Sequence, residues 1–447
     1  MSTNTVATGS EKQTLSGVTI TVVLICWFMT IFEGYDIVVY GTVVPSLLHY
    51  KPWGLNPGQA GVIGSLIVFG MFFGALFVGP LADLFGRRTT MIVDLLIFSI
   101  SMFLCGLSPT PLVFSIFRFI GGVGLGGIIP TTATITVEYA PLRWRSLVYT
   151  IMFTGYSVGG ILAAGLAIPL LPAFGWQVMF YINAVACLVA VPLAYWFLPE
   201  SIGFLLSKNR RAEAERVAQR FRVNMNSEEV RLAQREIEGA HAARGWRAPL
   251  LLFSRGYLLA TVLFALVSFC ALYTIYGVNT WLPQLMTLSG YSLTSALLFL
   301  LVLNVGNIIG NVIAGAAADR FGSKIVCMTV FALAAISFFL LSFKVPLLIG
   351  YILVILVGNG TYGAQNLLNA YVVKSYPVSS RGTAIGWALG IGRTGGFVAP
   401  NLIGLFLFWH VPLQWSFYVL AIPGVLAVIA LLFITKTPAF YEHVQVP

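Results

Sequence analysis

The chain has 447 residues, of which 58% are hydrophobic and only 9% are charged, and its mean hydropathy is +0.90. Soluble domains carry about 25% charged residues, so this composition excludes an ordinary soluble protein. Apolar runs recur at the length that crosses about 30 Å of hydrocarbon, which predicts a polytopic α-helical membrane protein. The net charge of +10 does not indicate a nucleic-acid partner, because the basic residues are distributed among short segments between these runs.

Twelve membrane spans can be drawn, six on each side of a polar segment at 199–256. The first run lacks a basic n-region and a small-residue cleavage site, so we expect a retained helix and not a signal peptide. The predicted spans are 17–48, 60–82, 89–108, 111–138, 146–170, 177–198, 257–286, 293–318, 324–343, 347–373, 380–408 and 413–435.

Two carboxylates, Glu33 and Asp36, lie in the middle of the first span. An acid at the bilayer centre costs about 2.5–3.5 kcal/mol even on lenient insertion scales. Residues at i and i+3 share a helix face, so both acids can face the interior of a bundle and not lipid. We interpret the pair as the proton and substrate-anion machinery of a secondary transporter.

The basic residues predict the orientation of the chain. If both termini are cytoplasmic, the cytoplasmic segments hold 21 of the 25 Lys and Arg, whereas the outside loops hold only Lys51 and Lys344. The positive-inside rule selects this topology, and we expect an integral protein of the inner, cytoplasmic membrane. The predicted divisions are a tail at 1–16, a six-helix bundle at 17–198, a cytoplasmic linker at 199–256, a second bundle at 257–436 and a tail at 437–447.

The linker carries eleven basic residues and seven glutamates. Its pattern predicts surface helices at Asn209–Arg222 and, after a cap at Ser227, at Glu228–Ala242. The basic excess predicts contact with anionic lipid headgroups at the cytoplasmic face. A regulatory partner is the alternative.

The two halves repeat at an offset of 236 residues. Gly79-Pro-Leu-Ala-Asp-Leu-Phe-Gly-Arg-Arg88 matches Gly315-Ala-Ala-Ala-Asp-Arg-Phe-Gly-Ser-Lys324, and Tyr40-Gly41 matches Tyr276-Gly277. Because both copies begin on the same side, this is a parallel repeat of a six-helix unit. We therefore predict an all-α fold of twelve transmembrane helices in two pseudo-symmetric halves.

The loop 79–88 and its copy resemble the major facilitator superfamily, whose second and third helices are joined by G-x-L-A-D-x-x-G-R-K/R. Glu33-Gly-Tyr-Asp36 is similar to the D/E-G-x-D motif of the aromatic acid:H⁺ symporters in that superfamily, as is the stretch Tyr276–Met286. Glu33 departs from the Asp of most members and lengthens the reach of the carboxylate. Sugar porters share Gly-Tyr-Asp, but this chain lacks their Gln-Gln-x-x-Gly in helix 7.

Asp36 is the first candidate for proton coupling. Burial favours the neutral form of a carboxyl and a nearby cation favours its ionised form, so a carboxyl balanced between the two can load and release a proton. The resemblance implies that Arg118 of the fourth span is this cation. Glu33 should titrate together with Asp36. The structural alternatives are a permanent ion pair between two spans and a helix-packing role for Glu33.

Arg393, in the eleventh span, is the candidate for binding a substrate carboxylate, because a guanidinium matches a carboxylate as a bidentate fork. An aromatic substrate would also need ring faces and amides, although each such residue alone could serve only in packing. The remaining predicted binding residues are Asp36, Tyr276, Asn279, Trp281, Gln365, Asn366, Asn369, Tyr156 and Trp387.

The resemblance also implies a latch that joins the halves at the inner face and gates the site without binding substrate. Its predicted residues are Asp83, Arg87, Arg88, Arg143 and Asp319.

Other constellations do not indicate chemistry. The glycine-rich run 121–127 lies within a span and follows no strand, so helix packing explains it better than nucleotide binding. The five cysteines fall in five different spans and the four histidines in loops or tails. We therefore expect no enzymatic activity, metal or cofactor. We also expect the protein to function as a monomer.

Together, these patterns predict a proton-coupled symporter that imports an aromatic carboxylate of the benzoate or hydroxybenzoate type by alternating access. The alternatives are another substrate on the same fold, such as a sugar or another organic anion, an antiporter of drugs or metabolites, and a membrane sensor with a transporter fold.

Overall fold

A computed structural model of the chain describes residues 17–140, 144–220, 247–377 and 380–434. The secondary structure of these ranges is entirely helical. Twelve of the helices are long and apolar enough to cross a membrane, which confirms the predicted fold class. Arg143 and the predicted helix Glu228–Ala242 lie outside the described residues.

The helices of the first half begin and end at local signals. α2 begins with a capping box, in which Gln59 N donates to Asn56 Oδ1 over 2.8 Å and Asn56 N donates to Gln59 Oε1 over 3.2 Å. It ends at Gly86, whose φ of 97° favours glycine. The largest difference from the predicted spans is at the end of α5, Phe174 against residue 170. The six spanning helices are α1 (Gly17–Leu48), α2 (Pro57–Phe85), α3 (Arg87–Leu107), α4 (Pro111–Tyr139), α5 (Arg145–Phe174) and α6 (Gln177–Phe197).

In the described part of the linker, one short helix falls within the predicted helix Asn209–Arg222, and two other short helices were not predicted. The described ones are α7 (Ile202–Ser207), α8 (Arg211–Arg220) and α9 (Arg247–Leu252). The predicted start at Asn209 is wrong, because Asn209 has a φ of 57° and separates α7 from α8. Asparagine tolerates this left-handed conformation better than most residues do.

The second half repeats the first, with one interruption that the sequence did not predict. A π-helical turn at Asn359–Gly363 divides the tenth span, and such turns are frequent at functional sites. Gly322, the copy of Gly86, has a similar φ of 87°, so the repeated loop has the same geometry in both halves. The helices are α10 (Leu258–Leu288), α11 (Leu293–Phe321), α12 (Ser323–Leu341), α13 (Leu347–Gly358), α14 (Ala364–Ser375), α15 (Arg381–Phe408) and α16 (Leu413–Phe433).

The halves are in close contact at the end of the bundle opposite the linker. There α2 packs backbone to backbone against α15. A Cβ atom at Gly61 would lie 2.5 Å from the carbonyl oxygen of Pro400, and one at Gly404 would lie 2.6 Å from that of Pro57. Bulkier residues at Gly61 or Gly404 would therefore force the two halves apart at this end.

The same faces of the two helices have no close neighbour within the described ranges at two glycines near the linker end, which holds α7 and α8. Gly79 and Gly386 each lie 18 residues, or about five helical turns, from Gly61 and Gly404, and so on the same helix faces. Among the described residues, no atom lies within 4 Å of a Cβ placed at either position. The space between the halves is therefore closed at the far end and open at the linker end.

Candidate functional site

The two acids of α1 lie against α5. Glu33 and Asp36 are each 0% exposed. Gly34, between them, allows α5 to approach, since a Cβ atom there would lie 2.0 Å from the carbonyl oxygen of Tyr156. The Tyr156 hydroxyl donates a hydrogen bond to Glu33 Oε1. A side chain at residue 34 would therefore displace the tyrosine that holds Glu33.

Asp36 forms an ion pair with the predicted cation. Arg118 Nη1 on α4 donates to Asp36 Oδ1 over 2.5 Å, and the two side chains are 1% and 0% exposed. The Arg118 guanidinium also lies 5.4 Å from the centre of the Tyr40 ring. Asp36 Oδ2 and Arg118 Nε are buried and have no hydrogen-bond partner among the described residues. The pair is thus held by one short contact, with capacity for further hydrogen bonds on both sides.

Glu33 faces tyrosines from both halves of the chain. The rings of Tyr156 on α5 and Tyr362, in the π turn, are 5.5 Å apart and inclined by 52°. Tyr276 on α10 lies within electrostatic range of both Glu33 and Asp36. Glu33 Oε2 is buried without a hydrogen-bond partner among the described residues. One carboxylate oxygen is therefore held by Tyr156, and the other remains available within an aromatic enclosure.

Arg393 brings a second positive charge to this enclosure. It lies within electrostatic range of Glu33, and its Nη1 donates to the carbonyl oxygen of Met71 over 2.9 Å. The Tyr276 hydroxyl lies 3.7 Å from Met71 Sδ. Met71 on α2 is thus the point where the first half anchors both Arg393 and Tyr276. Sequence reasoning missed it, because a methionine in an apolar run carries no signal of such a role.

Amides beside the π turn form a chain that crosses between the halves. Gln365 Nε2 donates to Asn369 Oδ1 over 3.0 Å on α14. Asn366 Nδ2 donates to Asn311 Oδ1 over 3.3 Å, and Asn311 Nδ2 donates to Asn307 Oδ1 over 2.7 Å. Asn307 Nδ2 then donates to Ser157 Oγ, in the first half, over 2.6 Å. Asn307 and Asn311 on α11 were not predicted, although their spacing of four residues on a spanning helix was a usable signal.

Three predicted binding residues are not brought to Glu33. The carbonyl oxygen of Asn279 lies where a Cβ of Gly41 would be, so this residue belongs to the contact between α1 and α10. Trp281 is 0% exposed, and its Nε1 donates to Pro400 at the closed end over 2.9 Å. Trp387 is 41% exposed and packs edge-on against Phe253 of the linker. Their residue types suggested binding, but helix rotation and depth place them elsewhere.

The family model of the Major Facilitator Superfamily matches residues 26–400. The chain belongs to this superfamily. A benzoate transport protein from Acinetobacter baylyi is 38% identical to it over 92% of this chain and 89% of the relative. A gentisate transporter from Corynebacterium glutamicum is 37% identical over 96% of this chain and 90% of the relative. These relatives confirm the predicted resemblance to aromatic acid transporters, and they indicate transport and not enzymatic activity, as predicted.

The fold is similar to that of the solved E. coli xylose transporter XylE in an inward-open conformation. The two structures match with a TM-score of 0.74 at 20% sequence identity, over 94% of this chain and 97% of the XylE chain. At this identity the likeness shows the fold alone. Twelve spanning helices in a major facilitator fold make the protein an integral membrane protein.

At the linker end, a carboxylate that the sequence analysis did not single out caps α3. Glu200 Oε1 accepts hydrogen bonds from the backbone N–H groups of Arg87, Arg88 and Ser201 over 2.9, 3.1 and 3.0 Å. Burial raises the pKa of Glu200, while these backbone hydrogen bonds and the charge of Arg88 oppose that rise. Glu138 lies 3.6 Å from Arg87 and accepts from the backbone N–H of Gly203. The carboxylates tie α3 and α4 to the start of the linker.

Two of the predicted latch residues, Arg87 and Arg88, have their described contacts within the first half and the start of the linker. The described contacts of Arg87 are with Glu138 and Glu200, and Arg88 donates to the carbonyl oxygen of Tyr195. All of these partners belong to the first half or to the start of the linker. Asp83 and Asp319 are both exposed at the linker end. This arrangement agrees with a linker end that is open, and the gating role of these residues stays a prediction.

Proposed function

We propose that the protein is a proton-coupled symporter that imports an aromatic carboxylate, such as benzoate or a hydroxybenzoate, by alternating access. The observation that carries this proposal is a group of four charges inside the helix bundle, in which Glu33, Asp36 and Arg118 are buried and Arg393 is half-buried. Its support is the similarity, over 92% and 96% of the chain, to relatives named as benzoate and gentisate transporters.

Charge neutrality supplies the coupling. With all four groups ionised, Glu33 and Asp36 neutralise Arg118 and Arg393. A substrate carboxylate would add one negative charge beside two buried carboxylates, where an uncompensated charge is costly. The site returns to neutrality when one carboxylate takes up a proton. The anion and the proton therefore favour each other's binding, which is the thermodynamic requirement for symport.

The geometry favours Glu33 as the group that exchanges this proton, whereas the sequence favoured Asp36. Asp36 is in direct contact with Arg118 at 2.5 Å, so protonating it would leave a buried guanidinium without its counter-ion. Glu33 receives a hydrogen bond from the neutral hydroxyl of Tyr156 and lies near Arg393. When the substrate carboxylate takes over Arg393, Glu33 loses that favourable charge and protonates.

The ring of the substrate would bind among the tyrosines. Arg393 uses Nη1 on the carbonyl of Met71, which fixes the guanidinium and leaves its other N–H groups for a carboxylate. Tyr156 donates a hydrogen bond to Glu33, and Tyr276 and Tyr362 lie within electrostatic range of it. These tyrosines would offer ring faces and hydroxyls to an aromatic acid. Gln365 and Asn366, next to the π turn, supply amides for ring hydroxyls.

The faces of α2 and α15 support alternating access. Close contact at Gly61 and Gly404 coexists with separation at Gly79 and Gly386 on the same faces. Rocking of the halves about the central site would exchange closed and open ends. We place the linker end in the cytoplasm of a cell whose inner membrane holds the protein, since that side carries most Lys and Arg. One chain holds a complete site, so we propose a monomer, driven by protons without a bound cofactor.

Uptake into proteoliposomes tests the proposal. Labelled benzoate, gentisate and 4-hydroxybenzoate would be offered with and without an inward proton gradient, with xylose as the sugar control. Wild type would be compared with Asp36→Asn and Glu33→Gln, and with Glu213→Gln, which changes a surface glutamate of the linker. One proton per anion predicts about ten-fold accumulation for each pH unit of gradient.

A gradient-dependent accumulation of an aromatic acid that both buried-acid variants lose, and Glu213→Gln retains, supports the proposal. Retained exchange of substrate in Glu33→Gln would show that binding survives without coupling. Accumulation that ignores the gradient would contradict proton coupling. Uptake of xylose but of no aromatic acid would contradict the substrate class.

A further inference from the structure

A cavity of about 770 Å³ lies at the linker end, away from the central site. Its walls are the start of α3, the end of α6 and the linker helix α8. The basic residues that line it are Arg88, Arg210 and Arg216, and the acidic ones are Glu200 and Glu213. None of the proposed transport steps uses this cavity.

Three arginines and two glutamates give the cavity a net charge of +1, and both glutamates already have partners. Glu200 accepts three backbone hydrogen bonds, and Glu213 pairs with Arg210 over 2.5 Å, which lowers the pKa of Glu213. In contrast, none of the ion pairs in the described ranges includes Arg216. Arg88 also lines the cavity, and one of the five N–H groups of its guanidinium donates to the carbonyl oxygen of Tyr195. Donors for an anion therefore remain on two sides of the cavity.

The other walls are apolar and aromatic at the level where the membrane ends. Tyr195 and Trp196 are 60% and 64% exposed, and Phe85 is 64% exposed. Tyrosine and tryptophan prefer the headgroup region of a bilayer. Ile92 and Val93 of the spanning helix α3 continue the lining. An occupant that fits has an anionic head beside the arginines and an apolar body alongside α3 and α6.

We propose that this cavity binds the phosphodiester headgroup of an anionic phospholipid, with Arg216 and Arg88 as the phosphate donors. The acyl chains lie along the outer surface of α3 and α6 at the ends that meet α8. Basic pockets between the ends of spanning helices bind such headgroups in other membrane proteins. The bound lipid would fix α8 against the bundle. This inference does not depend on the transported substrate or on proton coupling.

The test uses the full-length protein purified in detergent, with lipid binding followed by native mass spectrometry. Phosphatidylglycerol is the probe, and phosphatidylcholine with the same acyl chains is the neutral control. Inorganic phosphate and glycerol 3-phosphate are offered separately, because they carry the anion without the chains. Arg216→Gln removes a donor from the cavity. Arg211→Gln is the matched control, since Arg211 lies on the same helix, is 82% exposed and pairs with Glu215 outside the cavity.

We expect wild type to prefer phosphatidylglycerol, and Arg216→Gln to bind it about five-fold more weakly, which is the effect of one arginine at a lipid surface. Arg211→Gln should bind as wild type does. An equal loss in both variants would show a diffuse surface attraction and overturn the site. Equal binding of the two lipids would overturn the headgroup specificity. Displacement of the lipid by inorganic phosphate alone would overturn a lipid ligand and assign a free phosphate.

Discussion

Removing one partner of the Asp36–Arg118 pair should destabilise the protein far more than removing both. The partners touch at 2.5 Å and are 0% and 1% exposed, so water does not screen them. Loss of one partner leaves an uncompensated buried charge, which costs about 3–5 kcal/mol. The double variant Asp36→Asn with Arg118→Met leaves no charge behind. We expect each single variant to lose about that much unfolding free energy, and the double variant much less than the sum.

The chain contains a matched control for this double-mutant cycle. Arg210 and Glu213 also touch at 2.5 Å, but their side chains are 49% and 48% exposed. Exposed pairs contribute about 0–1 kcal/mol, so Arg210→Gln with Glu213→Gln should show little coupling. Both cycles would be measured by denaturant or thermal unfolding in detergent, with the interaction energy taken from the four variants. A coupling energy for the buried pair no larger than that of the surface pair would refute the reasoning from burial.

Three further predictions concern other parts of the structure. The affinity of the wild type for benzoate should fall as pH rises, because binding takes up a proton, whereas Glu33→Gln should bind benzoate independently of pH. Parallel pH profiles of the two proteins in a binding titration would contradict the role of Glu33 as the proton-exchanging group. Glu200→Ala should lower the unfolding free energy by about 1 kcal/mol through loss of the cap on α3, while Glu200→Gln keeps an acceptor and should lose less; equal losses in thermal unfolding would contradict capping. Gly404→Ala should cost about 1–3 kcal/mol through its clash with Pro57. In the same assay Gly386→Ala, which meets no atom of the described residues within 4 Å, should raise stability by about 0.5–1 kcal/mol, the advantage of alanine over glycine inside a helix.

The architecture could be predicted from the amino-acid sequence alone. Twelve apolar runs of spanning length leave no alternative to helices, because backbone groups in lipid must be hydrogen-bonded within the segment. The offset of 236 residues predicted the repeat, and Gly86 and Gly322 share a positive φ at the matched positions. The sequence could not give the π turn at Asn359–Gly363, because that turn depends on the helices packed around it.

The candidate site, too, could be predicted from the sequence only in part. The sequence marked Glu33, Asp36, Arg118 and Arg393, because a charge within a span is costly enough to be informative by its presence alone. Which residues surround these charges depends on how the helices pack against one another. Met71 gives no sequence signal, and its place beside Arg393 depends on the rotation and depth of α2 against α15. The open linker end is likewise a property of how the two halves meet, which no local pattern encodes.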